Sequence, residues 1–450
     1  MHSHYNMLAR TIALAGIQFA WTVELAAGTP HLISLGLSNS FTAAVWIAGP
    51  LAGLIVQPIV GELSDNCRSI HGRRRPFIVL GTILVIGSIF LVAFARPIAI
   101  ACVSSSWVKF TQISFAVIGF FLLDFGINIA QAAARILLVD TVSPEYQHVV
   151  NAWAACMVGA GNIVGYFVGY LDLVAILPFL NLEHFQLLCL LASFCLAATV
   201  FFTCSTVHEK VYTNAAHQRP WYETMTNIIH NCNNVPSDIQ NILNIQFLAW
   251  LAWFPFLFYS SSWIADTVQL TPTQPDTIKT QMGSFGLLLF AIISFIFGII
   301  IPRIQTQLQM ALKHVWCAGL LFSAFLLMCT LFVGGTGVVV SVVGLMGISW
   351  AIALWVPFTL IGKQLSTPQE YTTIEDPNAH HATLNSGIIL GIHNMYICLP
   401  QFISTLINMV IFSIVSVDAF GWVIRISGIS SILAALYIVK TFKSHDCKFD

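Results

Sequence analysis

The sequence is poor in charged residues. Only 8% of its 450 residues are Asp, Glu, Lys or Arg, against roughly 25% in an ordinary soluble domain. Hydrophobic residues make up 57%, and the mean hydropathy is +0.82. A soluble fold cannot bury that much apolar surface, so the composition excludes an ordinary soluble protein. The formal net charge of -1 gives no indication of a nucleic-acid partner.

Paired-cysteine motifs are also lacking. The 11 cysteines are scattered, several of them inside apolar stretches, without the spacing of a disulfide framework or a zinc site. We interpret them as small packing residues and expect neither a metal nor a cofactor. The adjacent His380 and His381 lie in a polar interval without partners at metal-ligand spacing, so a membrane-embedded enzyme ranks last among the functions considered.

Twelve stretches are long and apolar enough to cross a bilayer, which takes about 20 residues. They lie near 11-35, 41-64, 77-97, 107-134, 151-174, 185-206, 243-265, 282-301, 313-333, 337-361, 384-415 and 419-439. The first contains Glu24 and lacks the cleavage site of a signal peptide, so we expect it to remain in the protein. The pattern predicts an all-α integral membrane protein with twelve transmembrane helices.

The basic residues are distributed unevenly among the connections. If the N-terminus is cytosolic, fourteen of the 18 Lys and Arg residues lie at cytosolic ends, Arg96, Lys109 and Lys279 lie outside, and Arg425 lies within the last stretch. This asymmetry predicts that both termini are cytosolic. The polar interval 207-240 predicts a central cytosolic loop between two six-helix halves, 1-206 and 241-450, with substrate bound between them. A second polar interval, 363-383, has the composition of another cytosolic loop.

An acidic residue in the fourth stretch is the strongest candidate for function. Asp124 is followed at i+4, i+7 and i+11 by Asn128, Gln131 and Arg135, which places four polar groups on one helix face. Intramembrane charges are costly and usually face a cavity or a partner, so we favour a functional role for Asp124. Glu24 is a second candidate, for which structural pairing with an Asn or Arg of a neighbouring helix remains open. A carboxyl group shielded from water binds a proton more readily, which suits proton coupling.

Aromatic residues crowd the seventh stretch, where Trp253 and Trp263 lie. A sugar presents hydroxyl groups to Asn, Gln, Asp and Glu, and apolar ring faces to aromatic side chains. A cavity lined by both types would therefore suit a sugar. Any single one of these aromatic residues is nevertheless better explained by packing or by anchoring at the membrane interface.

The connection between the second and third stretches contains the sharpest local motif, GELSDNCRSIHGRRRP. A basic cluster that only fixes orientation would explain its arginines but not its two glycines and its aspartate. The start of the motif resembles the cytosolic loop signature of the major facilitator superfamily, which ties helix ends together in one conformation. The residues assigned to this conformational loop are Gly61, Asp65, Gly72, Arg73, Arg74 and Arg75.

Longer motifs resemble the glycoside–proton symporters of that superfamily, which include plant sucrose carriers and their animal and fungal relatives. They occur in the expected order as VQPIVGELSDNCRSIHGRRRPFI, D-x-x-x-N-x-x-Q-x-x-x-R, NAW followed by GNIVGYFVGYLDL, and LAWFPFLFYSSSW. The resemblance implies that Asp124 carries the proton and that Glu24 matches an acidic position of the fungal and animal branches. The candidate substrate-binding residues are Asn128, Gln131, Asn162, Trp253, Trp263 and Asp266.

Two departures from the plant pattern bear on the substrate. Ser260, Ser261 and Ser262 precede Trp263 where plant carriers have D-T-D-W, and His148 stands where they have Arg. Both changes resemble the fungal branch, which implies a broader range of α-glucosides, with maltose as well as sucrose.

The expected function is therefore proton-coupled import of sucrose- or maltose-type α-glucosides by alternating access, with sugar, protons and the lipid bilayer as partners. The plasma membrane is the expected location. The alternatives are a carrier of another sugar and an exporter in a vacuolar or other internal membrane. A non-transporting sugar sensor is disfavoured by the short tail after residue 440.

Overall fold

A computed structural model of the chain describes residues 4–443 except 66, 144–145, 210–225, 227–229, 231–234, 272–276, 333 and 367–385. The described residues form helices and connecting turns, without a β-strand. They include twelve spans that are long and apolar enough to cross a membrane. The predicted all-α fold with twelve transmembrane helices is therefore confirmed.

The first six spans occupy the chain up to residue 206. Span 1 is His4–Ser34, span 2 consists of Asn39–Val45 and Ala48–Asp65, span 3 is Arg75–Ala93, span 4 is Val108–Thr141, span 5 is Gln147–Tyr170 and span 6 is His184–Thr206. Short helices Ala95–Cys102 and Leu173–Ile176 and the 3-10 turn Pro178–Leu180 lie between spans.

The last six spans begin at residue 237. Span 7 is Ser237–Thr267, span 8 is Thr277–Gln307, span 9 is Leu312–Cys329, span 10 is Thr336–Ser366, span 11 is Ser386–Ile414 and span 12 is Ala419–Lys443. Because successive spans alternate in direction, His4 and Lys443 lie at one end of the bundle. We name this end the terminal face and the other end the opposite face.

Span 2 is interrupted at Trp46, where the sequence predicts one continuous stretch. The first helix ends at Val45, and the second begins at Ala48. Pro50 explains the break, because it has no N–H to donate to the carbonyl of Trp46 four residues earlier. The interruption leaves the chain around Trp46 less constrained than a regular helix.

Buried apolar residues form two main clusters. All buried members of one belong to the first six spans and the segments that border them, for example Leu14, Val85 and Leu196. The other is built mainly from the last six spans. The first six spans contribute to it only Leu25, Ala26, Ala43, Trp46 and Tyr166. The predicted division into halves stays a prediction, since most of the interval 207–240 lies outside the described residues.

Glycines bring span 5 close to span 1. A Cβ on Gly161 would lie 2.5 Å from the Ala15 carbonyl oxygen, and one on Gly165 would overlap the Thr22 hydroxyl. The four-residue spacing of these glycines allows the two backbones to approach closely. This contact fixes span 1, which carries Glu24, against its neighbour.

Large apolar side chains cover the outside of the bundle. Ile83, Phe194, Phe325 and Leu406 are all exposed, as a surface in contact with lipid requires. The chain is an integral multi-pass membrane protein.

Candidate functional site

The carboxyl groups of Glu24 and Asp124 lie together in the buried interior. Glu24 is 2% exposed and Asp124 is 4% exposed, and their carboxyl groups lie close enough to interact with each other. Apart from the Asp124 carboxyl group, no hydrogen-bond donor among the described residues contacts either Glu24 oxygen. A hydrogen bond between two carboxyl groups requires one of them to carry the proton, and two ionised carboxylates at this separation would repel. The pair is therefore suited to hold one proton.

This arrangement differs from the structural pairing considered for Glu24, an Asn or Arg on a neighbouring helix. Its neighbour is instead a second acid. Span 2 completes the surroundings, because a Cβ on Gly49 would lie 3.6 Å from Asp124 Oδ1. Gly28 allows span 4 to approach span 1, since its Cβ would lie 3.0 Å from the Phe120 ring and 3.7 Å from Glu24 Cγ. Spans 1, 2 and 4 thus meet around the acid pair.

The polar stripe of span 4 continues from Asp124 toward the terminal face. Asn128 donates from Nδ2 to the Asp124 carbonyl at 2.9 Å and accepts from Gln57 Nε2 at 2.8 Å. Asn128 and Gln131 are half-buried, and Arg135 is exposed. Accessibility therefore increases from the acid pair toward the terminal face.

Asn162 lies on the same side of the acid pair as this stripe. Its Oδ1 accepts a hydrogen bond from Gln18 Nε2 at 2.9 Å. Gln18 precedes Glu24 by six residues, about 9 Å along the helix axis at 1.5 Å per residue. The amide pair joins spans 1 and 5 on the terminal-face side.

The two candidate tryptophans of span 7 lie in the packed interior of the last six spans. Trp253 is buried with its ring centroid 4.8 Å from that of Trp350. Trp263 is fully buried, its indole N–H has no acceptor among the described residues, and the Arg425 guanidinium lies 5.9 Å from its ring centroid. The ring contacts of both tryptophans lie within the last six spans, and their part in sugar binding stays a prediction.

Asp266 lies at the opposite face, near the end of span 7. It is exposed, with Asp418 and Lys279 close enough to interact electrostatically. The same corner contains an ion pair between Arg425 Nη1 and Asp418 Oδ2 at 2.6 Å. The part of span 7 that is nearest to the opposite face therefore separates Asp266 from the acid pair.

A group of side chains that the sequence did not single out covers the acid pair toward the opposite face. We name Thr29, Trp46, Phe120 and Phe258 the aromatic layer; all four are buried. Trp46 stacks on Phe258 with centroids 4.3 Å apart and an interplanar angle of 9°, and Phe120 meets the indole edge to face at 6.4 Å. Trp46 Nε1 donates to Thr29 Oγ1 at 3.0 Å.

The loop between spans 2 and 3 is held by an acid that follows span 6. The Glu209 carboxylate accepts the backbone N–H groups of Arg73, Arg74 and Arg75 at 2.8 to 2.9 Å. These N–H groups begin span 3, where the helix dipole favours an anion. Gly72 has φ +101°, and a Cβ there would lie 2.7 Å from the Glu209 carboxyl carbon, so this turn requires glycine.

The arginine side chains of the loop bind the end of span 4. Asp140 Oδ1 lies 2.7 Å from Arg73 Nη2, and its Oδ2 accepts from Arg74 Nε at 2.7 Å. Arg74 also contacts the Gly61 carbonyl at 3.5 Å and the Ser64 hydroxyl. The Asp65 side chain lies outside the described residues.

Sequence reasoning missed both carboxylates that hold this loop. Asp140 lay beyond the predicted end of the fourth stretch, and Glu209 was one of several polar residues in the central interval. One signal was available in the sequence. Both acids lie at the ends of even-numbered spans, and alternating spans place those ends at the same face as the three consecutive arginines.

A twelve-span bundle with buried acids between its helices is typical of secondary carriers. Residues 10–405 match the Major Facilitator Superfamily, and the chain belongs to this family.

The relatives bear out the resemblance to the glycoside symporters. A general alpha-glucoside permease of Schizosaccharomyces pombe is 30% identical, covering 96% of this chain and 92% of that protein. A sucrose transport protein of Arabidopsis thaliana is 28% identical, covering 88% of this chain and 82% of that protein.

Solved structures confirm the fold. The crystal structure of a D-xylose-proton symporter superposes with a TM-score of 0.65 at 15% identity, covering 97% of this chain and 98% of the other. The nucleoside transporter NupG gives a TM-score of 0.66 at 14% identity, covering 97% and 99%. At such low identity these similarities concern the fold alone.

Proposed function

We propose that this protein is a proton-coupled carrier that imports sucrose- and maltose-type α-glucosides. The observation that carries the proposal is the buried contact between Glu24 and Asp124. Among the described residues no basic side chain pairs with either acid. Two such acids in the membrane interior are costly unless they hold a proton, and groups that bind and release protons in this way mark transport pathways. The names of the relatives, an alpha-glucoside permease and sucrose transport proteins, support the substrate class.

The polar groups near the pair suit sugar hydroxyls. Asn128 and Gln131 offer both donors and acceptors on the terminal-face side of Asp124, and both are half-buried. A bound sugar would exchange hydrogen bonds with these amides while the acid pair holds the proton. Release of the sugar and of the proton toward the terminal face would then complete one transport cycle.

We further propose that the terminal face is cytosolic and that the protein acts in the plasma membrane. Arg68, Arg73, Arg74 and Arg75 cluster in one connection of that face, as the positive-inside rule predicts. The same proton coupling would drive export if the carrier were placed in an internal membrane, so direction must be measured together with location.

Uptake of radiolabelled sucrose and maltose into cells expressing the protein tests the proposal. We expect accumulation above the external concentration, lost on addition of a protonophore. Asp124→Asn keeps the shape of the side chain but cannot hold a proton, so it should abolish accumulation while facilitated equilibration persists. The matched control is Asp172→Asn, because Asp172 is exposed and caps a short helix through Ala175 N at 3.2 Å, a task that Asn performs equally well.

Each of three results would overturn a part of the proposal. Protonophore-insensitive accumulation would remove the proton coupling, and accumulation by Asp124→Asn at the rate of the control would remove Asp124 from the role. Competition by a panel of glucosides and monosaccharides then decides the substrate. Failure of every α-glucoside to compete would exclude the substrate class.

A further inference from the structure

The aromatic layer lies between the acid pair and the opposite face. Thr29 follows Glu24 by five residues in span 1, which runs toward that face. Spans 2 and 4 run away from that face. In span 2, Trp46 precedes Gly49 by three residues, and in span 4, Phe120 precedes Asp124 by four residues. At 1.5 Å per residue these offsets place the layer about 5 to 8 Å beyond the acids. The layer therefore lies between the acid pair and the opposite face along the axes of these spans.

Both groups of spans contribute to the layer. Thr29, Trp46 and Phe120 belong to the first six spans, whereas Phe258 belongs to span 7. We name the boundary between the first six and the last six spans the seam. Thr29 Oγ1 also lies 3.4 Å from the Phe258 carbonyl oxygen, which is a second contact across the seam. A separation of the two groups on this side would therefore expose the face of the Trp46 indole and remove the cover over the acids.

Prolines weaken the helices on both sides of the stack. Pro50 breaks span 2 at Trp46, Pro30 follows Thr29 inside span 1, and Pro255 lies three residues before Phe258 inside span 7. Each removes one helical hydrogen bond, which lowers the cost of bending at that point. The layer thus combines tight apolar packing with backbones that can move.

We propose that Trp46 is a positioning residue whose stack on Phe258 keeps the Glu24–Asp124 pair dry toward the opposite face, so that protons reach the pair from that side only when the seam opens. The stack then prevents the acid pair from conducting protons without cargo. This inference rests on the proposed proton coupling, but it concerns the path of the proton and not the identity of the sugar.

Sugar-free proteoliposomes with an imposed pH gradient test the inference, with an internal pH dye as the readout. Wild type should hold the gradient. Trp46→Ala should dissipate it at least about tenfold faster, because water enters the space left by the indole, and Trp46→Phe should remain near wild type because a ring still covers Phe258. The matched control is Trp107→Ala, since Trp107 is 60% exposed.

A second substitution identifies the path of the leak. Trp46→Ala combined with Asp124→Asn should restore the gradient, because the proton must pass through the acid pair. Phe258→Leu tests the same stack from span 7 and should also leak, so the inference can be judged even if Trp46→Ala does not fold. Elution as a single species in size-exclusion chromatography identifies the folded variants.

The inference falls if folded Trp46→Ala and Phe258→Leu both hold the gradient, or if the leak persists without Asp124. Its failure is distinguishable from that of the proposed function. Proton-driven sugar accumulation by wild type together with tight variants would overturn only the sealing role. An Asp124-dependent leak in a protein that carries no α-glucoside would uphold the seal and overturn the substrate.

Discussion

Toward the opposite face, the acid pair is covered by stacked rings that the two groups of spans contribute jointly. Toward the terminal face it borders the amide side chain of Asn128, and the ionic loop at that end joins elements of the first six spans to one another. On the terminal-face side a hydrogen bond also joins the two groups of spans, from Asn394 Nδ2 to the Gly53 carbonyl at 3.4 Å.

The difference suits two separate tasks. Apolar stacking has little directional demand, so two surfaces can part and meet again without leaving polar groups unpaired. Charge-assisted hydrogen bonds fix geometry and are costly to break. The aromatic layer therefore suits a contact that opens, and the loop held by Glu209 and Asp140 suits a contact that stays closed.

The largest effect is expected at Glu209. Glu209→Ala removes the acceptor of three backbone N–H groups at the start of span 3, which should lower the free energy of unfolding by about 3 kcal/mol. Thermal unfolding in detergent, followed by tryptophan fluorescence, measures this loss. Glu183→Ala, which removes only a helix cap, serves as the control with a loss of about 1 kcal/mol. Equal stability of the two variants would contradict the role of Glu209.

Two glycines of the predicted loop should respond with opposite signs. Gly72→Ala places a Cβ against the Glu209 carboxyl group at φ +101° and should destabilise the protein by about 1 to 2 kcal/mol. Gly61 lies in a helix with nothing within 4 Å of its added Cβ, so Gly61→Ala should stabilise it by about 0.5 to 1 kcal/mol. Changes of the same sign in the two unfolding midpoints would refute this assignment.

Glu24→Gln should shift the pH dependence of uptake toward acid by about one unit, equivalent to about 1.4 kcal/mol. The glutamine amide can donate to an ionised Asp124 and removes the neighbouring acid, so the unprotonated form of Asp124 gains stability and a higher proton concentration is needed. Initial rates of sugar uptake between pH 4 and 8 measure the shift, with Asp172→Asn as the control. An unchanged profile would show that the two acids act independently.

The smallest effect is expected at Ser261, whose Oγ donates to the Leu25 carbonyl across the seam at 3.3 Å. Ser261→Ala should weaken the closed seam by about 0.5 kcal/mol, which corresponds to about a twofold faster sugar-free proton leak. Ser205→Ala is the control, because that hydroxyl bonds only within its own helix at 3.0 Å. A leak as large as that of Trp46→Ala would mean that polar contacts, and not ring stacking, hold the seam.

The sequence identified residues of the site, but it did not predict the contacts between them. Asp124 and its stripe were found because a polar group at helical spacing in an apolar stretch is conspicuous. The contact between Glu24 and Asp124 was not predicted, since 100 positions separate the two acids and no local pattern relates them. Trp46 and Phe258 were missed because aromatic residues are common in membrane spans, and only their partners distinguish them from packing residues.

The sequence by itself determined that this chain enters a membrane, where its twelve spans begin and end to within seven residues, and which family it belongs to. These properties follow from runs of apolar residues and from short motifs, and both are local. Only the tertiary structure decided that two acids share one buried contact, that rings from spans 2 and 7 cover them, and that Glu209 holds the arginine loop. Each of these depends on side chains brought together by packing, and the strength of a buried polar contact is set by the groups that exclude water from it.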